Sequence, residues 1–191
     1  GNETISLRAY GLSPGLAQYQ LRFTSTVDPS RIMVSDYHYP NTTFQITIVS
    51  PPWGSQFTYG NTTVELLSQT VPIASVAYDV MPSDHIYFRY DEEWNYVDVE
   101  TGPASGGTNI TVTGFGLDVT NDNPELQYYC RFNSPWSGYQ MDSAAGWVYD
   151  SQTLKCTAPP WGGTYPWLSK GANLTILHGP RERAIPQYGR L

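Results

Sequence analysis

Apolar and polar residues alternate in short segments along the chain, with Gly and Pro between the segments. In residues 4–9, the apolar positions 5, 7 and 9 alternate with polar ones, and residues 18–23 and 44–48 repeat this period of two. Such alternation is typical of a β-strand with one face on a core and the other in water. The pattern predicts an all-β chain of short antiparallel strands that pack as sandwiches.

The strand pattern occurs twice, at a spacing of about 105 to 110 residues. Four segments align in order: 1–12 with 106–117, 18–23 (QYQLRF) with 127–132 (QYYCRF), 46–54 (ITIVSPPWG) with 154–162 (LKCTAPPWG), and 63–67 (TVELL) with 174–178 (LTILH). A domain of about 100 residues can hold its own core. The repeat therefore predicts two tandem modules, residues 1–91 and 92–191.

The phrase Pro-Pro-Trp-Gly stands once in each copy, directly after a predicted core strand. Two prolines end the hydrogen-bond ladder, the tryptophan caps the end of the sandwich, and the glycine lets the chain turn away. Alternatively, the tryptophan offers a platform to a sugar or to a neighbouring module. Because tryptophan is favoured at interfaces, five residues are candidate contact aromatics: Trp53, Trp136, Trp147, Trp161 and Trp167. Roles in core or loop packing are the alternative for each.

The two cysteines stand at positions where the first copy has apolar residues. Cys130 aligns with Leu21, and Cys156 aligns with Ile48. Both positions are therefore expected to point inward and to lie close together. A disulfide and two unpaired, buried thiols are both compatible with this placement.

Asparagine gives the clearest indication of the cellular compartment. Five of the nine asparagines occupy the N-glycosylation acceptor pattern N-x-[ST]: Asn2, Asn41, Asn61, Asn109 and Asn173. With 35 Ser and Thr among 191 residues, chance predicts between one and two such sites. The excess favours a secreted or cell-surface chain that carries covalent glycans, in a compartment where disulfides form.

The charged residues exclude some partners. The formal net charge is −7, and only Arg181 and Arg183 among the basic residues are close in sequence, so there is no basic patch for nucleic acid. No run of eighteen apolar residues is present, so nothing in the sequence predicts a membrane span.

Motifs for catalysis or nucleotide binding fail on inspection. The stretch GLSPG (11–15) matches the nucleophile elbow G-x-S-x-G, but Pro14 follows Ser13 and has no N–H for an oxyanion hole. The stretch GFGLDV (114–119) lacks the third glycine of a dinucleotide loop. We therefore predict no catalytic residue, no cofactor site and no enzyme activity.

Candidate metal ligands are equally weak. His38, His85 and His178 lie far apart in sequence and are expected to be exposed or at strand ends. The stretch DVTNDN (118–123) offers oxygen atoms at alternate positions but lacks the glycine and the bidentate Glu of a calcium loop, so a solvated turn is expected. The acidic residues 91–93 stand at the module junction, where a hydrated hinge is favoured over a calcium site. No metal site is predicted.

The second half resembles the IPT/TIG module, an immunoglobulin-like domain named for plexins and transcription factors. The resemblance lies in TGPASGGTNITVTGFGL (101–117), followed by CRF and LKCTAPP. In that family a GP-x-x-GGT turn precedes a strand, and a disulfide ties a C-x-F strand to a C-x-x-P strand end. The resemblance implies a disulfide between Cys130 and Cys156, with Phe132 and Pro159 in the matching positions. The first half lacks both cysteines and has GNE for GGT, so its membership depends on the internal alignment.

Both modules are expected to lack a strand. The last strand of the first module is predicted at 85–91, and its equivalent in the second would begin beyond Leu191. The first module also has no counterpart of the opening strand that precedes Gly106. We expect a piece of a longer array, or neighbouring molecules that donate the missing strands to open sheet edges.

These observations favour a structural role. The expected function is a segment of an extracellular, N-glycosylated protein with tandem IPT modules, building a glycan-coated surface fibre or an adhesive stalk. Its expected partners are neighbouring modules of the same chain or identical chains. The alternatives are a spacer or ligand-binding ectodomain of a plexin-like receptor, and an accessory module of a carbohydrate-active enzyme.

Overall fold

The computed structural model describes residues 1–69, 71–72, 86–166, 171–179 and 183–188. The chain divides into two compact units, residues 1–53 with 59–91 and residues 54–58 with 92–191. The fold is all-β: apart from three 3-10 turns, at Trp53–Ser55, Pro124–Leu126 and Trp161–Gly163, the regular structure of the described residues consists of strands. All pairs of named strands are antiparallel, as the sequence pattern predicts.

The first unit contains two sheets. Its strands are β1 (Thr4–Arg8), β2 (Tyr19–Ser25), β3 (Ile32–Val34), β4 (Gln45–Val49), β5 (Gly60–Ser68), β6 (Val71–Pro72) and β7 (Ile86–Tyr90). Strands β1 and β4 form one sheet, and the other has the order β3-β2-β5, with β6 and β7 both paired to β5. Alternate residues of these strands supply the core, in which Leu21, Phe23, Ile46 and Ile48 have no exposed surface.

The second unit contains two four-stranded sheets. Its strands are β8 (Glu93–Val97), β9 (Asn109–Phe115), β10 (Tyr128–Asn133), β11 (Gln140–Asp142), β12 (Trp147–Asp150), β13 (Thr153–Thr157), β14 (Asn173–His178) and β15 (Arg183–Ala184). The strand orders are β12-β13-β9-β8 and β11-β10-β14-β15. The fully buried core residues Val112, Leu117, Leu154 and Ile176 come from strands of both sheets or from the loop after β9.

The two units repeat the same serine hydrogen bonds. In the first, the Leu21 N–H donates to the Ser35 Oγ at 2.9 Å, and the Ser35 N–H donates to the Leu21 carbonyl at 2.9 Å. In the second, the Cys130 N–H donates to the Ser143 Oγ at 3.0 Å, and the Ser143 N–H donates to the Cys130 carbonyl at 2.9 Å. Leu21 and Cys130 therefore occupy equivalent positions.

A tyrosine provides a second shared bond. The Ser13 N–H donates to the Tyr19 Oη at 3.2 Å, and the Asp118 N–H donates to the Tyr128 Oη at 2.7 Å. Each tyrosine is buried at the start of its strand and holds the loop that follows the first aligned segment. The core-facing polar contacts, as well as the apolar pattern, are thus shared by the two units.

The alignment of TVELL with LTILH is wrong by one residue. Leu21 lies opposite Leu66, whereas Cys130 lies opposite Ile176, so Leu66 corresponds to Ile176 and not to Leu177. At the end of β14, three consecutive residues (176–178) are buried. In a regular strand the alternation of buried and exposed residues determines the register. Because the alternation is lost at residues 176–178, the sequence alone is compatible with both alignments.

The two units differ at the sheet edge beside their first aligned segments, β9 in the second unit and β1 in the first. In the second unit β8 pairs with the outer edge of β9, and Ile110 and Val112 of β9 are buried. Within the described residues of the first unit, β1 pairs only with β4, and its Ile5 and Leu7 remain half-buried. Strand β7 lies where the last strand is predicted, although His85 falls outside the described residues.

Candidate functional site

A buried polar cluster in the second unit joins four residues that are distant in sequence. Glu92 immediately precedes β8, Tyr128 begins β10, His178 ends β14, and Arg183 begins β15. The Tyr128 Oη donates to Glu92 Oε2 at 2.6 Å, His178 Nδ1 lies 2.8 Å from Glu92 Oε1, and Arg183 forms an ion pair with the same oxygen. The two rings stack, with centroids 4.0 Å apart and an interplanar angle of 7°.

Burial makes these contacts necessary. Glu92 has no exposed surface, and a carboxylate in such a place is stable only when it is paired and hydrogen-bonded. Arg183 supplies the compensating charge from a side chain that is 43% exposed. The cluster therefore fixes the start of β8 against β10, β14 and β15.

The surroundings of His178 act on its pKa in opposite directions. Its Nδ1 faces the Glu92 carboxylate, and its Nε2 lies 3.0 Å from the carbonyl oxygen of Leu126. Burial lowers the pKa of His178 because desolvation disfavours the charged ring, while the Leu126 carbonyl and the Asp118 carboxylate act in the opposite direction. The imidazole is consequently harder to protonate than a histidine in water.

The cluster corrects one sequence prediction and bears out another. Residues 91–93 are not a hydrated hinge throughout, because Glu92 is fully buried. His178 lies at a strand end, as predicted, and is buried there. Glu92 and His178 are 86 positions apart, so no local pattern connects them. With both carboxylate oxygens bonded and no exposed surface, Glu92 serves in holding strands together.

The two cysteines form a disulfide between the sheets. Cys130 of β10 and Cys156 of β13 are bonded, with their Cα atoms 6.2 Å apart, and the two residues are 26 positions apart in sequence. Leu21 and Ile48 stand at the equivalent positions of the first unit and are fully buried. The bond thus stands where the first unit has two buried apolar side chains.

The tryptophans have different environments. Trp53 is 2% exposed and stacks on Tyr90 at 5.3 Å, so it caps the core of the first unit and offers no ring to a partner. Trp161 is half-buried, and its Nε1 donates to the Pro166 carbonyl at 3.2 Å. Trp136 and Trp147 are 70% and 55% exposed, which suits contact residues, and Trp167 lies outside the described residues.

A cleft of about 440 Å³ opens at one end of the second unit. It is lined by residues from the GP-x-x-GGT turn, the strand ends and the Pro-Pro-Trp phrase, among them Ile110, Phe132, Ala158 and Trp161. Two of the sequon asparagines directly follow lining residues, Asn109 after Thr108 and Asn173 after Ala172.

All five sequon asparagines are exposed: Asn2, Asn41, Asn61, Asn109 and Asn173. Of the other four, Asn95, Asn121 and Asn133 are half-buried and only Asn123 is exposed. An enzyme that transfers a glycan leaves a bulky polar group on the amide nitrogen, which a folded domain accommodates only at its surface. The positions of all five are compatible with modification.

The remaining candidate motifs form turns. In 118–123, Asp118 accepts from Thr120, the Asn121 side chain bonds the backbone of Val148, and Asn123 accepts from the Glu125 N–H. These hydrogen bonds stabilise the loop itself. Within the described part of the chain, no group of three or more His, Cys, Asp or Glu residues could hold a metal ion.

Ser13, the candidate nucleophile of the GLSPG stretch, lies in a turn in which its carbonyl accepts from the N–H groups of Leu16 and Ala17.

No helix among the described residues is long and apolar enough to cross a membrane.

Comparison with known proteins extends this description. Residues 97–188 match the model of the IPT/TIG domain family. A search of curated proteins finds no sequence match. One similar solved structure is the full extracellular region of plexin A4, with 13% identity and a TM-score of 0.38 over 97% of this chain, which spans only 24% of that chain. The family match, together with the inter-sheet disulfide and the antiparallel sandwich, supports the assignment of residues 97–188 to the IPT/TIG domain family.

Proposed function

We propose that the chain is a non-catalytic, N-glycosylated spacer of an extracellular protein, built from two IPT-type modules at residues 1–91 and 92–191. The observation that carries the proposal is the exposure of all five sequon asparagines. The paired carboxylate and imidazole that could suggest chemistry are instead buried within the second module.

The proposed identity of the two modules is supported by their internal geometry. The serine and tyrosine hydrogen bonds recur at equivalent positions, and β1 and β4 repeat the pairing of β9 and β13, with Ile5 opposite Ile48 and Ile110 opposite Cys156. Independent domains with unrelated folds would not share both the register and the polar contacts.

The spacer of a plexin-like receptor ectodomain is the preferred parent protein. The family match names a module that such receptors contain, and Glu92 and Arg183 hold the beginning and the final described strand of the second module together. Glu92 directly precedes β8, so this ion pair ties the start of the second module to that module's own last described strand. A module held together in this way suits a spacer.

A fibre remains a second candidate because of one observation. Among the described residues of the first unit, no strand covers the outer edge of β1, and an open edge can accept a strand from another chain. The sequon at Asn2 lies two residues before β1, so a glycan there would hinder the addition.

Light scattering and electron microscopy of the secreted, glycosylated chain distinguish these functions. The spacer proposal predicts discrete monomers across a wide range of concentration. Filaments that grow with concentration would instead favour the fibre, and a chain that is secreted with bare asparagines would contradict the glycosylated spacer.

A further inference from the structure

The sequon at Asn61 lies on the outer face of the larger sheet of the first unit. Asn61 is the second residue of β5 and is exposed, whereas the next residue, Thr62, is fully buried and Thr63 is half-buried. Successive side chains of a strand point to opposite faces. Asn61 and the threonine that completes its sequon therefore share the outer face.

Strand β7 brings an aromatic ring to the same face. Tyr87 lies directly opposite Thr63 in the antiparallel ladder and is 56% exposed. Residues that face each other across such a pair project to the same side, and diagonal neighbours lie about 7 to 8 Å apart, within reach of an aromatic side chain. Tyr87 is the diagonal neighbour of Asn61.

The residue directly opposite Asn61 is Arg89, whose Nε donates to Asp91 Oδ1 at 2.8 Å, just beyond the end of β7. On the other side, the Thr26 N–H donates to the Asn61 carbonyl at 3.0 Å, which fixes the backbone of the sequon. The asparagine side chain therefore projects from a held backbone, beside an exposed ring.

We propose that the first sugar of an N-glycan on Asn61 packs its apolar face on the ring of Tyr87 and becomes a stabilising part of the first module. An N-acetylglucosamine ring presents axial C–H groups on one face, and these groups form a suitable partner for an exposed aromatic ring. The inference depends on the proposed function, since it requires a glycosylated chain.

The second unit offers a comparison site on the equivalent strand, whose described cross-strand neighbours are polar. Asn173 begins β14, the strand equivalent to β5, and is likewise exposed. Its partner across the ladder is Asn133, and the next residue on that face, Thr175, lies opposite Arg131. A sugar on Asn173 thus meets polar side chains on β10.

The test uses the full chain, secreted by cells that add N-glycans and trimmed to a single N-acetylglucosamine at each site. Thermal midpoints are measured for four proteins: the parent chain, Asn61→Gln, Tyr87→Thr and the double variant. We expect the Asn61 sugar to raise the midpoint of the first unit by about 4 °C when Tyr87 is present and to have no effect in Tyr87→Thr. The variant Tyr87→Phe should keep the full effect, because the ring remains.

Two measurements separate the possible failures. The Asn173→Gln substitution should change the midpoint equally with and without Tyr87, and the N-acetyl methyl resonance of the Asn61 sugar should move upfield only when the ring is present. An effect of the Asn61 sugar that is unchanged in Tyr87→Thr, or an empty Asn61 beside four occupied sites, would overturn this inference alone. Five empty sites would overturn the proposed function as well.

Discussion

At the scale of single residues, the Glu92 cluster joins side chains that lie far apart in sequence around one buried carboxylate. A buried carboxylate stabilises the fold only through its partners, and here three side chains from different strands provide them. Sequence reasoning assigned residues 91–93 to a hinge because acidic residues at a junction are usually solvated. Only the three-dimensional fold brings His178 and Arg183 to the carboxylate.

Replacing Glu92 with Gln should destabilise the second unit by about 2 to 3 kcal/mol, because Arg183 loses its counter-charge and one buried acceptor becomes a donor. Chemical denaturation of the full chain measures the change. Glu125→Gln is the matched control, since Glu125 is exposed, and should change the unfolding free energy by less than about 0.5 kcal/mol. Equal effects of the two substitutions would contradict a structural role for Glu92.

The lowered pKa of His178 gives the stability a defined pH dependence. Because the folded state holds the ring proton less tightly than the unfolded state, unfolding takes up a proton once the pH falls below about 6.5. The contribution of His178 is therefore complete above that pH and is lost on acidification. Denaturation curves between pH 7.5 and pH 5 should show a smaller free energy of unfolding at acid pH, and His178→Gln should remove part of this slope. A His178-dependent rise in stability on acidification would show that the hydrogen bonds outweigh burial.

At the scale of the elements, equivalent positions in the two units can be compared, because the effect of a substitution in one unit can be measured beside that of its counterpart in the other. Strand positions, the two-residue period and the Pro-Pro-Trp turns follow from the sequence, since each depends on neighbouring residues. The register of β14 does not, because residues 176–178 are buried consecutively and no longer alternate.

The tryptophans of the two Pro-Pro-Trp turns should differ in importance. Trp53→Ala should destabilise the first unit by about 3 to 5 kcal/mol, because a buried ring stacked on Tyr90 is removed. Trp161→Ala should cost roughly 1 kcal/mol, since Trp161 is half-buried. Amide hydrogen exchange resolves the two units within the full chain. A larger effect at Trp161 would mean that the end of the second unit is closed by its tryptophan in the same way as the first.

The disulfide can be exchanged for the apolar pair of the first unit. The substitution Cys130→Leu with Cys156→Ile removes the cross-link, worth about 3 kcal/mol for a loop of this length, but retains apolar packing. The pair Cys130→Ala with Cys156→Ala loses both the cross-link and the packing, so it should be the less stable variant. Hydrogen exchange of β10 and β13 measures the order. A Leu and Ile variant that is less stable than the Ala variant would show that the two cores do not share one geometry.

At the scale of the whole molecule, the sequence predicts the fold class, the repeat and the aligned cysteine positions, because these depend on patterns that recur along the chain. It does not predict which sequon adjoins an aromatic ring. Tyr87 is 26 residues from Asn61, and only the pairing of β5 with β7 makes them neighbours. The sequence offers Trp53 both as a cap of the sandwich and as a contact aromatic, and its burial in the structure fits the cap.

We propose an extracellular, glycosylated pair of modules. Glycopeptide mass spectrometry of the secreted full chain measures the occupancy separately at Asn2, Asn41, Asn61, Asn109 and Asn173. Most of these five exposed asparagines should carry a glycan, and the four asparagines outside the pattern should carry none. A secreted, folded chain with all five asparagines bare would rule out this proposal.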